Sequence, residues 1–191
     1  MSKPVPLQPG KYYHIYNRGN NRENVFCEER NYSYFLKLYA AYIEPVADTF
    51  AYCLLRNHFH LLVRIKPEEE TRRVSQVFGN FFNAYAKAIN KAYQRTGSLF
   101  QHPFGRIEVT SDAYLVHLVT YIHQNPRKHG FVTDFHAWPY SSYHALVSTR
   151  PTRLQRDDVL AWFHGVEAFE AAHQQEVSER LIAPLVLEDF D

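Results

Sequence analysis

The stretch Tyr52-Cys53-Leu54-Leu55-Arg56-Asn57-His58-Phe59-His60-Leu61-Leu62-Val63 constrains the fold more than any other part of the chain. It is apolar on both sides of the polar pair Arg56-Asn57, which reads as two adjacent strands, Thr49 to Leu55 and His58 to Ile65, joined through that pair. They are the most continuously apolar segments in the sequence, which places both at the centre of a sheet. Alternation along a strand sets His58 and His60 on one face, close enough to share a metal ion.

The remaining pattern alternates strand and helix. Lys11-Tyr12-Tyr13-His14-Ile15-Tyr16-Asn17 is β-prone and runs into the turn cluster Arg18-Gly19-Asn20-Asn21-Arg22. Helical spacing of Tyr32, Phe35, Leu36, Tyr39, Ala40 and Ile43 predicts a helix over Glu29 to Ile43, stopped by Pro45. A second helix follows Glu68-Glu69-Glu70 from Thr71 to about Tyr93, its acidic start suited to the positive helix end. Arg106 to Thr110 reads as a short strand. Ser111 or Asp112 caps a helix that runs to about Asn125 and ends before Pro126. Residues 131–150 read as irregular and aromatic, and 155–175 as helical. The order of elements predicts an α+β fold, a ferredoxin-like antiparallel sheet with helices packed on one face.

Composition narrows the setting. The 191 residues suit about one domain with a normal core, and 46% hydrophobic and 16% aromatic content excludes wholesale disorder. No apolar run reaches the roughly 18 residues of a membrane span, and the N-terminus lacks a signal-peptide core, so a cytoplasmic protein is expected. Cys27 and Cys53 lack metal-type spacing and are expected as reduced thiols. The net charge of +1 conceals an asymmetry: residues 1–130 hold 17 Lys and Arg against 10 Asp and Glu, and residues 131–191 hold 4 against 10. A basic body with an acidic tail suits a core that binds a polyanion. We divide the chain into a domain over 1–150 and an acidic helical extension over 151–191.

His58 and His60 supply two neutral imidazoles, and a divalent cation needs at least one further donor. An amide or carboxylate oxygen beside two imidazoles is compatible with Mn²⁺, Mg²⁺ or Zn²⁺, and Asn125 could supply it. On the helix after Ser111, Leu115, Leu118 and Val119 leave Tyr114, His117, Tyr121 and Asn125 along a more polar stripe, with Tyr121 and Asn125 one turn apart. A tyrosine with a reference pKa near 10 needs a nearby cation to act as a phenolate nucleophile. The bland counterpart is that one histidine of the pair merely bonds a carbonyl and that Tyr121 packs, as most of the fourteen tyrosines do.

Five segments carry a resemblance. They are Tyr13 to Asn20, Ala51 to Val63, Arg95-Thr96-Gly97-Ser98-Leu99-Phe100-Gln101, Tyr121-Ile122-His123-Gln124-Asn125-Pro126, and Trp138-Pro139-Tyr140-Ser141-Ser142-Tyr143. In this order, over about residues 10 to 145, the chain resembles the REP-associated tyrosine transposases of the single-tyrosine HUH superfamily. One departure is His102-Pro103, where many relatives carry a basic residue before the phenylalanine.

The resemblance implies the HUH endonuclease fold, His58 and His60 as metal ligands, Asn125 completing the site for Mg²⁺ or Mn²⁺, and Tyr121 as catalytic nucleophile. It implies a single-stranded DNA endonuclease and strand transferase that cuts and rejoins hairpin or palindromic-repeat DNA through a 5′-phosphotyrosine. Arg18 with its neighbours Gly19 and Asn20 matches a segment expected near DNA, and Asn17 belongs to the same segment. Arg22, Arg56, Arg72, Arg73 and Arg95 are added as candidate phosphate contacts. A monomer is favoured over a homodimer. Two rivals remain: a non-cleaving DNA- or RNA-binding module derived from a transposase, and a zinc hydrolase, for which the chain is short.

Overall fold

The computed structural model describes residues 5–177, apart from the side chain of Arg72. Its sheet is built from β1 (Tyr12–Arg18), β2 (Ala47–Leu54), β3 (His58–Ile65) and β4 (Gly105–Val109) in the order β2-β3-β1-β4. All pairings are antiparallel, and Tyr16 lies opposite His60 while Arg18 lies opposite His58. The helices are α1 (Glu29–Tyr42), α2 (Thr71–Ala92), α3 (Asp112–Lys128), α4 (Tyr143–Val147), α5 (Arg156–Trp162) and α6 (Val166–Gln174). The α+β class and the four-stranded antiparallel sheet stand as the sequence pattern predicts.

Alternation along the central strands feeds two cores. Tyr13 and Ile15 of β1, with Phe59, Leu61, Val63 and Ile65 of β3, pack against α1 and α2. Phe35 anchors this layer, with ring centroids 4.9–5.2 Å from Phe26, Phe59, Phe81 and Tyr85. Truncating such a residue to alanine costs about 3–5 kcal/mol. Leu62 of β3 and Phe50, Ala51 and Cys53 of β2 pack on the opposite side with Leu115, Leu118, Val119 and Ile122 of α3 and Phe169 of α6. The expectation of helices on one face therefore extends to a second helical layer, because β1 and β3 are buried on both faces and each face needs a cover.

One strand position is corrected. β3 is central as expected, but its central partner is β1, and β2 lies at the sheet edge. β2 reads as a central strand because its edge is covered by the Trp138–Tyr143 segment. Leu54 N donates to Tyr140 O and Ser142 N to Tyr52 O, each at 2.9 Å. Trp138 Nε1 donates to Leu54 O at 2.9 Å, and Tyr52 N to Ser142 Oγ at 2.8 Å. A covered edge tolerates an apolar strand that an open edge would not.

The helix predicted to stop before Pro126 continues to Lys128. Proline lacks an N–H, but so near a helix end it forfeits a single bond. His129 N donates to Asn125 O and Phe131 N to Pro126 O, which close the last turn. Residues 155–175 form two helices rather than one, broken at His164 and Gly165, both with positive φ. α5 and α6 pack against α3 and β2 within the second core, and residues 178–191 of the acidic extension lie outside the described residues. Cys27 is exposed, Cys53 is buried, and both are free thiols. Among the described residues, no helix is long and apolar enough to cross a membrane.

Candidate active site

His58 and His60 open β3, and strand alternation directs both toward α3, on the side where Leu62 packs against that helix. Their rings are perpendicular, with centroids 5.1 Å apart, and each residue is about 4% exposed. Leu118, Val119 and Ile122 press α3 onto the sheet, which carries Tyr121 to a centroid distance of 5.7 Å from His60. The stripe expected to be polar is split by this packing. Tyr114 and His117 are half-buried, while Tyr121 and Asn125 are enclosed.

Four buried polar atoms converge without hydrogen-bond partners: His58 Nε2, His60 Nε2, Tyr121 Oη and Asn125 Oδ1. Such atoms are rare in folded interiors and call for a physical reason. Each histidine is tethered through its other nitrogen, His58 Nδ1 to Asn57 Oδ1 at 2.7 Å and His60 Nδ1 to His14 Nε2 at 2.9 Å. Asn125 Nδ2 donates to Tyr121 O at 2.9 Å, so its Oδ1 is the atom left over. Burial pushes the His58 imidazole down to about 3, with His129 and Arg18 adding to the effect and Asn125 opposing it. Burial likewise holds His60 well below its ordinary value, with His14 and His58 contributing. Both rings are therefore neutral near pH 7, the form in which imidazole ligates metals.

Two imidazole nitrogens and an amide oxygen suit a borderline-to-hard divalent cation. Among the described residues, no three His, Cys, Asp or Glu side chains assemble as a metal-ligand group. Asn125 Oδ1, buried and without a hydrogen-bond partner, is an oxygen donor of another type on the helix facing the two histidines.

The basic candidates divide. Arg18 lies beside the site, close enough to bear on His58, His60 and His129. Three backbone bonds hold it there: Gly19 N to Asn57 O at 2.7 Å, Asn20 N to Leu99 O at 2.9 Å, and Gln101 N to Arg18 O at 2.9 Å. Gly19 is required, since a Cβ there would collide with the Glu23 carbonyl. Arg56 is exposed at the hairpin tip, and Asn20 and Arg22 are exposed in the turn after β1. Asn17 is buried and accepts from Arg18 N, so it shapes the turn. Arg95 is engaged by Glu23 and Asn90, and Arg73 by Glu69. The Arg72 side chain lies outside the described residues.

Three neighbours escaped the sequence reading. His14 was hidden in a β-prone run, although it shares strand parity with Tyr16 and Arg18. His129 sits beside His58, with ring centroids 4.7 Å apart, and burial pushes it down to about 4. Lys128 places its Nζ 4.9 Å from the Tyr121 ring centroid. Tyr121, Asn125 and His129 recur at four-residue spacing, and ending the helix at Pro126 concealed the third.

A model of the family described as IS200-like transposases matches residues 8–125, more than half the chain and all four converging residues. The chain belongs to the IS200-like transposase family. A curated protein of Haemophilus influenzae, provisionally named a REP-associated tyrosine transposase, is 30% identical over 107 residues. That match spans 52% of this chain and 61% of the relative. A solved structure of a REP-associated tyrosine transposase bound to a REP hairpin superposes with a TM-score of 0.60 at 21% identity. It covers 79% of this chain and 88% of that one, a likeness of fold.

Proposed function

We propose that this IS200-like transposase is a metal-dependent single-stranded DNA endonuclease and strand transferase with Tyr121 as its nucleophile. The supporting observation is the convergence of Tyr121 Oη with the free donor atoms of His58, His60 and Asn125. Buried polar side chains are normally paired, so four such atoms left over at one place support a site for a ligand.

His58, His60 and Asn125 would hold Mg²⁺ or Mn²⁺, which supplies charge stabilisation at the non-bridging oxygens of the scissile phosphodiester. Tyr121 Oη would attack phosphorus in line, and the proton it gives up balances the one gained by the departing 3′-oxygen. A tyrosine–phosphorus bond forms and the bond to the 3′-oxygen breaks, leaving a 3′-hydroxyl and a 5′-phosphotyrosine. Attack by another 3′-hydroxyl reverses the step and joins strands without an external energy source.

The substrate proposed is single-stranded DNA bearing a hairpin, on the strength of the solved relative bound to a REP hairpin. Arg18 beside the histidines, with Arg22 and Arg56 on adjoining turns, supports phosphate binding at the same end of the sheet. One chain carries all four converging residues, which supports action as a monomer.

The test is a denaturing gel of the protein with labelled hairpin DNA and Mn²⁺. A chelator-sensitive covalent band that disappears in Tyr121→Phe is the expected result. Retarded DNA on a native gel with no adduct on any hairpin would assign the chain to the non-cleaving class.

A further inference from the structure

We propose that His14 is a positioning residue that fixes the tautomer of His60, accepting the His60 Nδ1 proton so that the His60 Nε2 lone pair faces the site. The proposal rests on His60 being a metal ligand, the reading given above.

His14 lies on β1, diagonal to His60 across the β1–β3 ladder, where Tyr16 is the direct partner of His60 and Leu62 that of His14. The rings are near-parallel, 23° apart with centroids at 5.1 Å, and His14 Nε2 meets His60 Nδ1 at 2.9 Å. His14 is fully buried, so water cannot substitute for this contact. The single hydrogen bond between the two rings can run in either direction. If His14 donates, His60 carries its proton on Nε2 and buries an N–H without an acceptor. If His60 donates from Nδ1, Nε2 presents a lone pair to the site. Orphaned buried N–H groups are rarer in proteins than under-used acceptors, which favours the second arrangement.

The companion histidine is held the same way. Asn57 Oδ1 can only accept, so His58 Nδ1 donates to it at 2.7 Å and His58 Nε2 is the free lone pair. The two histidines thus present equivalent atoms, each fixed by a neighbour bonded to Nδ1. Such outer partners commonly change metal affinity by about 10–100-fold when removed.

Long-range proton–nitrogen correlation spectra of the metal-free protein, with histidine labelled by ¹⁵N, read the tautomer directly. His60 protonated on Nδ1 and bare on Nε2 is expected, and a proton on His60 Nε2 overturns the proposal even where Mn²⁺ binds. His14→Phe keeps a ring but removes the acceptor. It should lose the single His60 tautomer and weaken Mn²⁺ binding by calorimetry about 10–100-fold. His14→Gln restores an acceptor and should recover both. An unchanged His60 tautomer in a folded His14→Phe protein also overturns the proposal. If the wild-type tautomer is as stated but Mn²⁺ does not bind, the metal reading fails and the His14 assignment survives.

Discussion

Asn125 Nδ2 donates to the main-chain carbonyl of Tyr121 across 2.9 Å, one turn back along α3. A carbonyl can only accept, so this bond fixes which end of the amide faces the site. Asn125→Leu keeps the side chain's size and removes the oxygen. Calorimetry should show Mn²⁺ affinity reduced about tenfold or more, with an unchanged far-ultraviolet circular dichroism spectrum. Unaltered affinity would remove Asn125 from the proposed ligand set.

Tyr121→Phe should separate activity from stability. The Tyr121 hydroxyl is buried without a partner, and an unsatisfied group of this kind costs about 1–3 kcal/mol. The variant is expected to lose the DNA adduct while unfolding at equal or higher urea concentration. A clear loss of stability would mean that the hydroxyl has a structural partner.

Gly105 opens β4 opposite Tyr16, and a Cβ built there would lie only 2.0 Å from Tyr16 Cε2. Tyr16 in turn lies 4.9 Å, centroid to centroid, from His14. Gly105→Ala should lower stability by about 1–3 kcal/mol through overpacking and weaken Mn²⁺ binding by displacing the Tyr16–His14–His60 row. Thermal unfolding with and without Mn²⁺ reads both effects.

Acid should destabilise the protein through its buried histidines. His123 Nδ1 bonds His173 Nε2 at 2.8 Å and His123 Nε2 bonds Ser142 Oγ at 2.7 Å, which ties α3 to α6 and to the segment covering β2. Burial pushes His173 down to about 4, with a hydrogen bond to Phe169 opposing, and holds His123 well below its ordinary value. The unfolded chain protonates these groups near 6.5, before the folded one does. Stability is therefore full above that pH and falls as pH drops toward 4. His173 alone should contribute about 2 kcal/mol of loss by pH 5. Urea midpoints from pH 7.5 to 5 measure the slope, and His173→Gln should flatten it.

Much of this was readable one residue at a time. The hairpin through Arg56-Asn57, the shared face of His58 and His60, and the one-turn spacing of Tyr121 and Asn125 follow from local periodicity, as do the limits of α1 and α2. β2 was misplaced because strand apolarity reports burial without saying what does the burying. The cover is the Trp138–Tyr143 segment, nearly a hundred residues away. His129 was missed because Pro126 looks like a helix stop, and whether a helix continues through proline depends on what closes its last turn.

The sequence by itself determined the chemistry available: two imidazoles on one strand face, and a phenol and an amide on one helix face. It did so because periods of two and of 3.6 residues are properties of the backbone. Only the tertiary structure decided that these faces meet, that four polar atoms are left without partners between them, and that His14 stands behind His60. Those relations cross from β1 to β3 and from β3 to α3, and they depend on two separate cores clamping both sides of the same sheet.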